Sequence, residues 1–202
     1  MTDAAGWDRR YAGSAPGLSS EPNPRLVELA APLIAGRALD LAAGAGRNAL
    51  WLARRGWRVT AVDFSRVGLK RAATRAAELD LDLDCVQADL YDYHPATAAF
   101  DLVLIAYMHP ETAKRAAVFA AAAEAVAPGG YLLVVGYDVT DPHHGGGPAD
   151  PNRRFSVSGL SCSFPGIELE RCERVTVQRE TPEGPRPSVS TFAWGRRPGG
   201  YS

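Results

Sequence analysis

No apolar run in these 202 residues approaches the length that spans a bilayer. The opening stretch, MTDAAGWDRRYAG, carries acidic side chains where a secretory leader needs an apolar core. A membrane association is therefore not expected, and the cytoplasm is the expected location. Cysteine is scarce: Cys85, Cys162 and Cys172 form an odd set without CxxC spacing, which argues against a disulfide framework or a zinc knuckle and for three reduced thiols. Positive charge is not in excess either. With 22 basic against 23 acidic residues the net charge is −1, so no general field exists to hold a polyanion, and nucleic acid is not an expected partner.

What is present is a chain of ordinary globular composition, 46% hydrophobic and 22% charged, long enough to bury a core without staples. Residues 1–23 are rich in Gly, Ser and Pro yet carry Trp7, Arg9, Arg10 and Tyr11, and they read as a lid segment ahead of a domain over 24–198. PRLVELAAPLIAG places Leu26, Leu29, Leu33 and Ile34 on one helical face, with Pro24 in the first turn and Gly36 as the stop.

Apolar runs then recur as ALDLAA, WRVTAVDF, LDCVQAD, FDLVLIAY and YLLVVGYD. Helical segments separate them: Arg47 to Arg55, Ser65 to Leu79, and Pro110 to Ala127, the last closed by PGG. Such alternation predicts an α/β fold, a mostly parallel sheet with helices on both faces. RVTVQRET and SVSTFAWGRR are strand-like but only PEGPRP separates them, too short for a crossover, so they should pair as an antiparallel hairpin. The expected fold is a Rossmann-like, seven-stranded mixed sheet.

The first strand runs into DLAAGAGRNAL. Gly44 and Gly46 let the backbone bend and approach a ligand, and the helix starting near Arg47 turns its free N–H groups towards it. Asp63 ends the next strand seventeen positions after Gly46, where a carboxylate can accept both ribose hydroxyls. Asp89, in QADLYDY, closes the strand after that and could accept from an exocyclic amine, or serve as a plain turn residue. Nicotinamide dinucleotides and S-adenosylmethionine both use such a site. Dinucleotides favour a third glycine where this chain has Ala49, and no Tyr here is followed four residues later by Lys, the pair of short-chain dehydrogenases.

The order LDLAAGAGRNALWLA, VTAVDFS, QADLYDY, FDLVLIAYMH and VAPGGYLLVVGYD resembles a class I S-adenosylmethionine-dependent methyltransferase over residues 24 to 196. GRNALWLA and WDRRYAG resemble the small-molecule branch of tellurite-resistance and thiol or thiopurine methyltransferases. One departure is Ala42, where the family often has glycine. The resemblance implies S-adenosyl-L-methionine as cofactor, with S-adenosyl-L-homocysteine as product. It implies that Gly44 and Gly46 meet the amino-acid end, that Asp40 orients the ammonium, and that Asp63 holds the ribose. Asp89 and Leu90 would read the adenine edge, with Phe64 against the ring. Ala42, Asn48, Ser65 and Ala88 would complete the cofactor's surroundings, while Ala106 and Tyr107 would border the transferred methyl.

The expected reaction is methyl transfer to a small-molecule acceptor, a thiol, chalcogen oxyanion or similar, by in-line displacement. A neutral thioether leaves without acid assistance, so alignment and exclusion of water are the protein's main tasks. His109 is the candidate base, with Tyr107 beside it. Trp7, Arg10, Tyr11 and Tyr137 are expected at the lid or acceptor, and Arg153 and Arg154 could attract an acidic substrate. His143 and His144 lack a spaced third ligand, so no metal is expected. A non-catalytic cofactor-binding protein, or an NAD(P)-dependent oxidoreductase, are the alternatives.

Overall fold

Two habits of this sequence set its architecture: apolar runs with no polar alternation, and alanine-rich segments that let helices lie close to them. The computed structural model describes residues 4–13, 19–142, 147–179 and 184–199. Helix α1 (Ala4–Ala12) is followed by α2 (Pro24–Ala30), β1 (Arg37–Leu41), α3 (Arg47–Arg54), β2 (Arg58–Asp63), α4 (Arg66–Glu78) and β3 (Leu83–Gln87). Then come β4 (Phe100–Ala106), α5 (Thr112–Ala125), β5 (Val126–Tyr137), a 3-10 turn (Pro151–Arg153), α6 (Val157–Ser161), β6 (Glu168–Arg179) and β7 (Arg186–Arg196).

The strands hydrogen-bond as one seven-stranded sheet in the order β3-β2-β1-β4-β5-β7-β6. β1 pairs parallel with β2, and β2 with β3; β7 runs antiparallel to both β5 and β6. The seven-stranded mixed sheet and its terminal hairpin are thus as the sequence implied. Strand order reverses between β1 and β4, the switch that opens a ligand crevice at the carboxyl ends of the strands in this class of sheet.

By contacts the chain divides into two units, one comprising residues up to His94 with Phe100–Leu104, the other Pro95–Ala99 with residues from Ile105 onward. In the first, Ala38, Leu39, Ala61, Val62, Leu102, Val103 and Leu104 are fully buried. Successive strand residues point to opposite faces, so burial of neighbours such as Leu102 and Val103 means that both faces of the sheet are covered. In the second, Leu133, Val134, Phe119, Phe155 and Phe192 form the core, with Phe119 edge-on to Phe155 at 5.8 Å.

Several boundaries differ from the sequence reading. Helix α2 stops at Ala30, because Pro32 cannot continue it, and Ile34 is 92% exposed rather than packed. Gly36 is not a helix stop: its missing side chain makes room for Asp101, which accepts from Arg37 N at 2.7 Å. The PGG segment does not close a helix. Helix α5 ends at Ala125 and the chain is already in β5 through 128–130, where Gly129 N donates to Arg197 O and Gly130 O accepts from Arg197 N, just past β7. β6 starts six residues earlier than RVTVQRET, at Glu168, because its charged alternation suits an edge strand.

Candidate functional site

The first unit carries the glycine turn. After β1 the backbone turns through Ala42 (φ 63°), Gly44 (φ 58°) and Gly46 (φ 79°). The first of these is left-handed without being glycine, a strain of about 1–3 kcal/mol. Gly46 is needed for packing as well as conformation: a Cβ there would lie 2.6 Å from that of Ala72 on α4. No side chain caps α3 at Gly46, which leaves the positive end of the helix facing the turn.

Asp63, at the tip of β2, is 3% exposed and ties the two strand-to-helix turns together. Its Oδ2 accepts from Gly44 N at 2.8 Å and its Oδ1 from Ser65 N at 2.7 Å. Burial raises its pKa, and these N–H groups work against the rise. Each oxygen keeps a second lone pair for a hydroxyl.

Asp40 is a different case. It is 1% exposed, and neither carboxylate oxygen has a hydrogen-bond partner. Burial pushes its pKa up to about 7; the Arg47 charge opposes this, Asp63 reinforces it, and the nearby Ala49 N–H, short of hydrogen-bond geometry, opposes it. A buried acceptor without a donor costs about 1–3 kcal/mol.

Helix α1 closes on the same turn. Tyr11 is 9% exposed, and a side chain on Gly44 would collide with its hydroxyl. Its phenol is driven up by burial, then by the Asp63 charge. Trp7 stacks on Tyr11 at 5.6 Å, and Arg10 lies over Trp7 at 5.1 Å. The segment is fixed to α4 at two points. Asp8 Oδ1 accepts from Ser65 Oγ at 2.6 Å and Val67 N at 3.1 Å, and Arg71 donates to the Tyr11 carbonyl.

Asp8, Gly68 and Arg71 were missed by the sequence reading. A signal existed for Gly68, an isolated glycine inside a helical pattern: its absent Cβ would lie 3.0 Å from Gly44 O and 3.1 Å from Tyr11 Cδ2.

Other expected cofactor residues have structural partners. Asn48 Oδ1 accepts from Asn23 N at 2.9 Å, fixing the residue that caps α2. Ser65 caps α4 through Gly68 N at 3.0 Å. Asp89 does not close β3, which ends at Gln87; it is exposed and accepts from Tyr91 N at 3.0 Å, the turn arrangement. Ala88 N donates to Asp63 O at 3.0 Å, and Phe64 and Leu90 are half-buried.

The second unit holds Ala106, Tyr107, His109 and Tyr137. Tyr107 follows β4 in a left-handed conformation (φ 59°), unusual for an aromatic residue, with its N–H on Val135 O at 2.7 Å and its hydroxyl 3.2 Å from Ser190 Oγ. Tyr137 lies against Tyr107 at 4.9 Å and against His109 at 5.6 Å.

His109 is 7% exposed and both ring nitrogens are engaged: Nδ1 is 3.0 Å from Arg153 O, and Nε2 accepts from Tyr137 N at 3.1 Å. Burial, together with the charges of Arg115, Arg153 and Arg154, lowers its pKa to about 4. Protonating Nε2 would break the Tyr137 bond, so this geometry runs against the general-base role expected of His109. His143 and His144 lie outside the described residues, and among the described residues no cluster of potential ligands forms a metal site.

Fold and turn together define a class: an open α/β sheet with a glycine turn at the switch strand, flanked by two buried carboxylates, suited to a nucleoside-bearing cofactor with a positive group. The comparisons agree. Residues 38–130 match the family model of a methyltransferase domain. A ubiquinone biosynthesis O-methyltransferase from Caulobacter sp. (strain K31) is 36% identical over 107 residues, covering 48% of this chain and 39% of the relative, so the match spans well under half of that protein's length.

Three solved structures share the fold. One, from work on the conversion of a disulfide bond into a thioacetal group during echinomycin biosynthesis, has TM-score 0.80 at 23% identity, covering 98% of this chain and 94% of the other. TehB from Haemophilus influenzae has TM-score 0.74 at 16% identity over 96% and 66%. The N-methyltransferase NodS from Bradyrhizobium japonicum WM9, in complex with S-adenosyl-L-homocysteine, has TM-score 0.68 at 19% identity over 96% and 98%. These structures share the fold of this chain, and the methyltransferase-domain match covers residues 38–130 of it. Among the described residues, no helix is long and apolar enough to cross a membrane.

Proposed function

We propose that this protein is an S-adenosylmethionine-dependent methyltransferase acting on a small-molecule acceptor. The observation that carries the reading is Asp40, fully buried, without a hydrogen-bond donor, beside the glycine turn. The cofactor's ammonium supplies the missing donor and the compensating charge. An anionic pyrophosphate at the turn would lie near Asp40 with like charge, which disfavours the nicotinamide alternative. The methyltransferase domain match and a neighbour solved with S-adenosyl-L-homocysteine support the same choice.

In this reading Asp40 receives the ammonium, the free lone pairs of Asp63 take the ribose hydroxyls, and Gly44 allows close approach of the backbone. The cofactor supplies a sulfonium-activated methyl group. Tyr11 and Trp7, carried on α1, form the lid over the turn and exclude water from it. Ala106 and Tyr107 border the acceptor. His109 is a positioning residue that fixes the 109–137 and 109–153 backbone contacts.

With His109 occupied, and with Asp138 bound by Thr140, Thr191 and Arg174, the acceptor should need no strong base. A thiolate or another soft nucleophile fits this, as does the neighbour associated with disulfide-to-thioacetal conversion.

The test is calorimetric titration of wild type and Asp40→Asn with S-adenosyl-L-homocysteine, using oxidised nicotinamide dinucleotide as control. Binding of the first ligand alone, weakened at least tenfold in the variant, is expected. Preference for the dinucleotide would overturn the reading, and binding without turnover across thiol, amine, hydroxyl and oxyanion panels would favour a cofactor-binding protein without catalysis.

A further inference from the structure

The second unit contains a group of guanidinium charges to which the methyl-transfer reading assigns no task. Arg115 and Arg153 are both half-buried, and Arg115 donates to the carbonyl of Asn152, the residue before Arg153; burial first and the Arg153 charge second lower the pKa of Arg115, and the charges of Arg115, Arg153 and Arg154 act on His109. Among the described residues, none of the three pairs with a carboxylate within salt-bridge distance. Arg115 Nη2 donates to Asn152 O at 2.8 Å, Arg153 Nη2 and Nε to His109 O at 2.6 and 3.2 Å, and Arg154 to Pro148 O and Asp141 O at 3.1 and 2.8 Å.

Backbone carbonyls satisfy some donors but carry no net charge, and Arg115 Nε is buried with no hydrogen-bond partner among the described residues. Asp150 favours the charged state of Arg115 without forming an ion pair with it. Like charges held together out of water are costly unless a counter-ion joins them. Arg154, buried and spent on two carbonyls, is a loop staple; Arg115 and Arg153 are the pair with donors to spare.

The pair is also connected to the expected acceptor region. Arg153 sits on the carbonyl of His109, His109 stacks on Tyr137, and Tyr137 touches Tyr107, the strained residue after β4. Phe155 packs beneath Arg115 at 5.4 Å and beside His109 at 4.7 Å, and gives the charges an apolar floor.

We infer that Arg115 and Arg153 form an anion site that binds a carboxylate or oxyanion group of the acceptor, which makes the substrate an anionic soft nucleophile rather than a neutral one. The inference rests on the methyltransferase reading for the word acceptor, but not for the anion site. A guanidinium pair suits a planar, many-oxygen anion because its forked donors can each meet two oxygens.

The experiment has two parts. Arginine side-chain N–H signals of the full-length protein are followed by nuclear magnetic resonance during titration with sulfate, against chloride at equal ionic strength. Saturable sulfate shifts at the Nε–H of Arg115 and Arg153, accompanied by His109, are expected; shifts that match those in chloride, or that fall on other arginines, overturn the anion site. Because this part uses wild type, it does not depend on a variant that folds.

The second part compares methylation of mercaptoacetate and 2-mercaptoethanol by wild type, Arg153→Met and Arg115→Lys. KM for the anionic thiol should be about tenfold lower than for the neutral one, an advantage that Arg153→Met removes and Arg115→Lys partly keeps, with kcat little changed. Equal KM values in wild type would show an adventitious ion site only and sink the acceptor assignment. S-adenosyl-L-homocysteine binding is measured on the same samples. If it fails while sulfate binds, the methyltransferase reading falls and the anion site stands; if it succeeds while sulfate does not bind, the reverse holds.

Discussion

The carboxylate of Asp63 bridges Gly44 N and Ser65 N at 2.8 and 2.7 Å, so one side chain fixes both the turn into α3 and the turn into α4. Sequence reading gave Asp63 a ligand role alone; the structure adds a structural one. Asp63→Asn keeps the size but replaces one acceptor oxygen with a donor that faces an N–H. The expected loss is about 1–3 kcal/mol of stability together with a ten- to hundredfold weaker grip on S-adenosyl-L-homocysteine. Urea denaturation and calorimetry measure the two separately. A variant with wild-type stability would mean that the bridge contributes nothing.

Asp40 and His109 give stability opposite dependences on pH. The folded pKa of Asp40 is raised to about 7, so as pH rises from about 4 the unfolded chain ionises first and stability falls until pH passes about 7. His109 is lowered to about 4, so as pH falls below about 6.5 the unfolded chain binds the proton first and stability is lost down to about 4. Asp40→Asn should therefore gain stability relative to wild type above pH 7, and His109→Gln should lose the acid-side decline. Denaturation midpoints between pH 4 and 8 check both, and parallel curves for wild type and variants would contradict the assignments.

A related consequence concerns binding. If a cation pairs with Asp40, the carboxylate must be ionised, so S-adenosyl-L-homocysteine should release a fraction of a proton near pH 6.5. Calorimetry in buffers of different ionisation enthalpy detects this, and buffer-independent heats would remove Asp40 from the contact.

Ala42 adopts φ 63°, a conformation that glycine reaches without strain. Ala42→Gly should raise stability by about 1 kcal/mol, since relief of strain exceeds the entropy lost on ordering glycine. Ala42→Val should lower it by more than that. Thermal unfolding of the three proteins orders them, and a less stable glycine variant would show that the methyl group packs favourably.

Helix α1 is held by Asp8 on the N-terminus of α4 and by Tyr11 against Gly44. The ordinary pKa of Asp8 is lowered by the Ser65 hydroxyl first and the Val67 N–H second. Asp8→Asn should loosen the segment and speed amide exchange over residues 4–12, with the core of β1 and β4 unchanged. Gly44→Ala should do the same and also abolish cofactor binding, because the new methyl needs both a left-handed backbone and the space of the Tyr11 hydroxyl. Unchanged exchange in both would show that α1 docks by other contacts.

The sheet was legible in the residues alone. Apolar runs such as DLVLI can be buried only on both faces, the helical segments between them require parallel crossovers, and a short final link requires a hairpin. These are local periods and lengths, readable without knowing which strands become neighbours. The sequence also supplied the GxG turn and Asp63, because a phosphate- or ribose-type site is written in a few consecutive residues.

Which residue answers which is settled by neighbours far apart in the chain. No local pattern shows that Asp8 reaches Ser65 across 57 positions, or that Asn48 is spent on Asn23. Nor does one show that both nitrogens of His109 are held by the backbone at 137 and 153, or that Arg115, in an alanine-rich helix, donates to the Asn152 carbonyl next to Arg153. A histidine's chemistry and an arginine's charge depend on burial and on partners brought together by the fold. Those are properties of three-dimensional neighbourhoods, and residue type and spacing do not encode them.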